Sequence, residues 1–257
     1  MRTKLTLAIA AALALTGLAA TPAQAATAPT VVGTAQASSG TSVTVSNSVS
    51  TAGILALVWE SKEGQNATPV DPTFSATGTY SVLSNNRSVY DDSGSTRGQI
   101  GVITAKCTTG TCSNWKLTFT GQTQSHMALT VIQFGTADTI SGVTFAGGSQ
   151  NVSGHQYSAS ISGGLATGEY AIVGGAHEAN ETTTPEGQYY VCPSFCTDAF
   201  VTAHSLADVY GSGNGSLGVG YLTTADAPAD AVGANPIGGS PTWVTSSPGS
   251  AFAFKVS

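Results

Sequence analysis

The residues in this chain best suited to chemistry lie together in "GEYAIVGGAHEANETTTP", residues 168–185. An apolar run ends there in His177 and Glu178, and Glu181 follows closely. An imidazole and two carboxylates within five residues can begin a divalent-metal site or an acid–base pair, with His204 or Asp198 available as a further ligand. They are equally what a strand shows where it surfaces into a solvated loop. The pattern is not the helical His-Glu-x-x-His signature, because Glu181 stands four residues after His177. Asp91 and Asp92 in "YDDSGSTRG" offer oxygen ligands to Ca²⁺, or form a plain polar turn. The expectation is no cofactor, with calcium or another divalent ion as the alternative the residues offer. Glu60 and Glu63 leave one apolar run much as Glu178 and Glu181 leave another. The four carboxylates would line one rim if those runs were neighbours in a sheet. Nucleophilic catalysis lacks a signature: no Gly-x-Ser-x-Gly elbow occurs, and His126 reads as a strand-edge residue.

A second kind of site is suggested by aromatic side chains. "ETTTPEGQYYVCPSFC" carries Tyr189 and Tyr190 beside two cysteines, and Trp59 and Trp243 lie elsewhere. Flat rings on a braced loop suit the apolar faces of sugars. The same tyrosines also fit a strand with one ring on each face. Cysteines fall as two close pairs, Cys107 with Cys112 and Cys192 with Cys196, which read as two local disulfides in an exported chain. A four-thiolate zinc site is the weaker alternative, since neither spacing is Cys-x2-Cys.

The elements that must position these residues are strands. "TSVTVS", "ILALVWE", "WKLTF" and "AFAFKV" are short apolar or alternating runs between Gly, Ser, Thr, Asn and Pro. "ILALVWE" is apolar enough to be a central strand covered on both faces. In "WKLTF", Trp115, Leu117 and Phe119 share one face. The chain also repeats itself. "GILALVWESKEGQNATP" from Gly53 lies over "GEYAIVGGAHEANETTTP" from Gly168, which sets His177 opposite Lys62 and Glu178 opposite Glu63. "SVYDDSGSTRGQIGVITA" lies over "DVYGSGNGSLGVGYLTTA", and "HMALTVIQF" over "SAFAFKVS". The expectation is one all-β domain over residues 26–257, an antiparallel sandwich of two related halves, about 27–136 and 137–257, with about five strands each around one core.

Residues 1–25 have the order of a secretory leader: a basic start, an apolar centre, and an Ala-x-Ala end at Ala23 and Ala25. No later run is apolar enough to span a bilayer, so the exported chain is expected to be secreted, without membrane insertion. The formal net charge is −6, and Arg2 and Lys4 fall in the leader. So few cations exclude nucleic acid and anionic membrane surfaces as partners.

The openings "ASSGTSVTVSNSVSTAGILALV" and the closing "PTWVTSSPGSAFAFKVS" resemble a diffuse group of bacterial exported and phage-associated jelly-roll modules. The usual Asp after the Gly is missing in "AGILAL". The resemblance implies a jelly-roll-like sandwich and a role in binding surfaces or glycans, and it carries over no site residue. The sequence thus favours an exported, non-catalytic binding module with polysaccharide or cell-surface glycan as ligand. The alternatives are an extracellular polysaccharide hydrolase or lyase using His177, Glu178 and Glu181, and a structural protein of a surface assembly.

Overall fold

A computed structural model describes residues 25–50, 53–63, 69–92, 96–148, 159–161, 165–177, 188–191, 200–211, 215–226, 237–239 and 249–257. Residues 1–24 of the expected leader, Glu178, Glu181, Asp198, Cys192, Cys196 and Trp243 lie outside these residues. The first half contains β1 (Thr30–Ala37), β2 (Ser42–Val45), β3 (Val49–Ser50), β4 (Ile54–Glu63), β5 (Thr73–Asp92), β6 (Thr96–Thr118) and β7 (Gln124–Gln133). The second contains β8 (Ile140–Gly148), β9 (Ala159–Ser160), β10 (Tyr170–His177), β11 (Gln188–Val191), β12 (Phe200–Thr202), β13 (His204–Gly211), β14 (Gly215–Thr223), a 3-10 turn at Thr224–Asp226, β15 (Ile237–Gly239) and β16 (Gly249–Val256).

Each half builds one antiparallel sheet. In the first, β1, β7, β4 and β6 follow in order, and β5 lies along the free side of β6. In the second, the order is β8, β16, β10, β14, β13. The two orders superimpose strand for strand: β1 on β8, β7 on β16, β4 on β10, β6 on β14 and β5 on β13. The expected sandwich of two related halves is the observed fold.

Three layers of apolar side chains hold it together. Ala56, Val58, Ile100, Val102, Ala128 and Ile132 of the first sheet pack against Ile172, Leu217, Val219, Phe252 and Phe254 of the second. This layer is the shared core. On the far side of the first sheet, the distal part of β6 turns with β2 and β3 over β4. Trp59, Trp115, Leu117 and Phe119 fill that space with Val43 and Val45. Trp115, Leu117 and Phe119 are all buried, as their alternation requires. On the far side of the second sheet, Ala171, Val173, Leu222, Ala251 and Ala253 pack on Ala159 and Ile161. Here a small sheet of order β12, β11, β15, β9 forms the outermost layer. Both β4 and β10 are thus covered on two faces, which explains their nearly continuous apolar sequence.

The face assignment corrects one detail of the repeat. The alignment from Gly53 and Gly168 has an offset of 115 residues. An odd offset exchanges the two faces of a strand. The shared core takes Ala56 and Val58 from β4 but Ile172 and Ala176 from β10, so the true offset is even. The equivalence of His177 with Lys62 and of Glu178 with Glu63 falls with it.

Aromatic rings lie over bare backbone at three cross-strand pairs. Trp59 stands opposite Gly101, Tyr90 opposite Gly98 and Phe252 opposite Gly174. A Cβ on any of these glycines would collide with the facing ring.

Candidate functional site

Four places in the fold gather polar or aromatic side chains. The first is inside the shared core. The carboxyl of Glu60 on β4 meets the ring Nδ1 of His126 on β7, with side chains 0% and 1% exposed. Both strands project alternate residues into the core, and these two follow Val58 and precede Ala128 in that series. Tyr90 Oη donates to Glu60 Oε2 at 3.4 Å. From the opposite sheet, Gly215 lies so close that a Cβ there would meet His126 Nδ1 and Glu60 Oε1. His126 is therefore an interior residue and not a strand-edge one. The pair is sealed from solvent, which suits a structural clasp between the sheets.

The second place is on the other face of β4. Glu63 is fully buried. Its Oε1 accepts from Val70 N at 3.1 Å and from Gln99 Nε2 at 2.7 Å, and Gln122 Nε2 donates to Oε2 at 3.3 Å. Gln99 Oε1 accepts from Arg87 Nη1 at 2.6 Å, and Arg87 pairs with Asp71. Burial pushes the Glu63 carboxyl above its ordinary range, and these hydrogen bonds with the nearby Arg87 charge oppose the rise. Both oxygens of Glu63 are engaged, so it ties Val70 and Gln122 to the sheet.

The third place is at the opposite end of the second sheet. His204 stacks on Tyr221 with ring centroids 4.8 Å apart, and Tyr170 meets Tyr221 edge-on at 5.8 Å. Asp226 Oδ1 lies 2.9 Å from His204 Nε2, and Asp226 Oδ2 accepts from Thr223 N at 2.6 Å and from its hydroxyl at 2.8 Å. Desolvation alone would raise the Asp226 carboxyl. The Thr223 and His204 contacts outweigh it and hold the group below its ordinary value. His204 is thus committed to Asp226 and is not seen to join a metal set with His177.

The fourth place is the outer face of the second sheet, beneath the small sheet. Register puts Asp208 opposite Gly218, Gly218 opposite Gly175 and Gly175 opposite Ala251. One step along, Tyr210 stands opposite Ser216, Ser216 opposite His177 and His177 opposite Gly249. Ser216 is 1% exposed, and its Oγ has no hydrogen-bond partner among the described residues. Asp208 Oδ1 is likewise buried without a partner. Desolvation pushes the Asp208 carboxyl above its ordinary range. Tyr189 and Tyr190 lie on β11, and Tyr190 is in register with Gly238 of β15. They occupy the small sheet, in the layer that covers this face.

The structure sorts the residues singled out by sequence. Trp59 is withdrawn as a ligand contact, because it is fully buried and meets Phe119 edge-on at 5.8 Å. Asp91 and Asp92 are strand residues opposite Arg97 and Thr96, at the tip of the β5–β6 hairpin. The four-carboxylate rim is not one sheet edge, since β4 and β10 belong to different sheets. Among the described residues, no group of three or more His, Cys, Asp or Glu side chains is placed to hold a metal ion. Cys107 and Cys112 form the expected disulfide. No helix among them is long and apolar enough to cross a membrane. Asp208, Ser216 and the Glu60–His126 contact escaped sequence reasoning. Their only signal is a polar residue at a fixed parity in a strand.

Comparison with protein families, with curated proteins and with solved structures finds no match to this chain.

Proposed function

We propose that this protein is an exported, non-catalytic binding module, with a neutral polysaccharide or cell-surface glycan as its ligand. The observation that carries this reading is the placement of the small sheet. The second half adds strands that the first half lacks, and they lie over a face of the sandwich that is poor in side chains. Tyr189 and Tyr190 are carried on one of them. Loops and added strands on a rigid scaffold are where ligand contacts concentrate. The disposition of the described acid and base groups supports binding over turnover. Glu60 and His126 are sealed, Glu63 is saturated, and His204 is held by Asp226.

The leader-like start and the disulfide fit an extracellular site of action. The test is retention of the mature chain on cellulose, chitin and amylopectin. Binding to at least one of these, lost in the Tyr189→Ala, Tyr190→Ala double variant, is the expected result. Retention on none of them contradicts the reading. Release of reducing ends, abolished by His177→Ala, would favour the hydrolase or lyase alternative.

A further inference from the structure

The edge strand β5 is the one element whose sequence leaves large apolar side chains in water. Val82, Leu83 and Val89 are 47%, 54% and 42% exposed, and they are the exposed large hydrophobics among the described residues. β5 pairs with β6 along one side, and among the described residues no strand pairs with the other. Natural sheets guard such an edge with charges, proline, short strands or bulges, because its free N–H and C=O groups are a template for another strand. β5 runs for 20 residues. From Thr73 to Tyr90 it has no proline, and Arg87 is its only charged residue. That charge is already engaged, since Arg87 pairs with Asp71 and donates to Gln99 Oε1 at 2.6 Å. A bulge lies at Leu83, and beyond it the register with β6 is regular from Ser84 to Asp92. Asn85 stands opposite Ile103 and Val82 opposite Ala105, both in the outer layer of the first sheet. Asn85, Arg87 and Val89 therefore share that outer face, and the extra residue at the bulge brings Val82 to it as well.

We propose that the free edge of β5 is an interaction surface for a second copy of this chain, joined antiparallel to its own β5 about a two-fold axis at Asn86. A two-fold contact must be self-complementary, and this sequence meets that demand position by position. Asn86 faces the partner's Asn86, and amide side chains can bond to each other across the axis. Asn85 falls opposite the partner's Arg87, and Ser84 opposite the partner's Ser88. Val82 and Leu83, counted as one position through the bulge, fall opposite the partner's Val89. Apolar residues thus meet apolar ones twice, once on each side of the axis. The charges agree with the same register. Asp91 falls opposite the partner's Tyr80, so no acid opposes an acid although the chain is acidic overall. The shared edge from Tyr80 to Asp91 is about 40 Å long and about 10 Å thick, and it buries less than about 1,000 Å² in total. That is the size of a reversible dimer, formed as concentration rises. β1, the other edge of the same sheet, offers no exposed large hydrophobic residue. The inference stands apart from the glycan reading, and retention on polysaccharide decides neither for nor against it.

The test follows the mass of the full mature chain by sedimentation over a concentration series. The expected result is a monomer that converts to a dimer. Val89→Lys should weaken association about a hundredfold, tenfold at each of the two symmetric contacts, with an unchanged melting temperature because Val89 is exposed. Two further measurements do not depend on that variant. Asn86→Cys should cross-link as a covalent dimer under oxidation, because facing residues of an antiparallel pair lie within disulfide reach, whereas Thr34→Cys on β1 should not. In the wild-type chain, amide exchange along Ser84–Tyr90 should slow as concentration rises. A chain that stays monomeric with concentration-independent exchange along β5 overturns the proposal, whatever other strand that edge accepts. A dimer that tolerates Val89→Lys and cross-links through Thr34→Cys but not through Asn86→Cys overturns it too.

Discussion

At the scale of single residues, the molecule places charge where it is expensive and glycine where rings need room. The Glu60–His126 contact is a buried polar contact that faces Gly215 of the opposite sheet. Removing one partner leaves the other polar group buried without one, a loss of about 1–3 kcal/mol. His126→Leu should therefore lower the denaturation midpoint sharply, whereas Asn85→Ala should not; equal midpoints would remove the clasp. Gly101→Ala and Gly98→Ala should each cost about 1–3 kcal/mol in chemical denaturation, because a methyl group would strike Trp59 or Tyr90. Asp208 behaves in the opposite sense. Its carboxyl is raised by desolvation, so its charged form weakens the fold above the ordinary Asp range, and that penalty fades as pH falls through the raised value. Asp208→Asn should raise the melting temperature at pH 7 and give little gain near pH 3. Very little of this was legible in the sequence. Glu60 ends a run of six apolar residues and hints at burial. Nothing local distinguishes the partnerless Ser216 from the many serines on the surface, since only cross-strand pairing shows what a residue faces.

At the scale of elements, most of the strands are legible, and their faces less so. β4, β7 and β16 stand out through apolar runs, and the strand holding Trp115 through its alternation. The repeat reads correctly as a shared order of strands. Its register does not, because Thr- and Gly-rich strands tolerate a one-residue slip and such a slip reverses both faces. The long β5–β6 hairpin and the small outer sheet carry weaker signals. β5 is mostly polar, because it is an edge strand with one solvated side, and β11, β12 and β15 are only three or four residues long. The disulfide between Cys107 and Cys112 is legible from spacing and sits within β6, where Cys112 is in register with Val49 of β3. It closes a short loop, so replacing both cysteines by serine should cost about 2 kcal/mol. The loss should appear as a lower melting temperature without loss of glycan retention. A variant that lost binding but kept its melting temperature would show that the hairpin holds a ligand contact instead.

At the scale of the whole molecule, one physical feature organises the rest: each half supplies one sheet, and neither sheet can cover its own inner face. Phe252, Phe254, Ile172 and Leu217 from one half meet Ala56, Val58, Ile100 and Ile132 from the other. A chain ending after β7 would expose that whole face, so residues 26–138 alone should aggregate or show no cooperative melting. A soluble, cooperatively folding half would mean that the shared core is dispensable. The two sheets differ in what covers their outer faces. The first folds its own β6, β2 and β3 across, burying large rings. The second is covered by added strands over glycine and alanine, and the proposed ligand contacts lie there.

That asymmetry can be tested in a single experiment, amide hydrogen exchange on the full mature chain with and without a retained neutral oligosaccharide. The account predicts slowed exchange at Tyr189–Val191, with the outer layer of the first sheet unchanged. Protection confined to β5 or to the distal part of β6, with the second sheet's outer face unaffected, would contradict it.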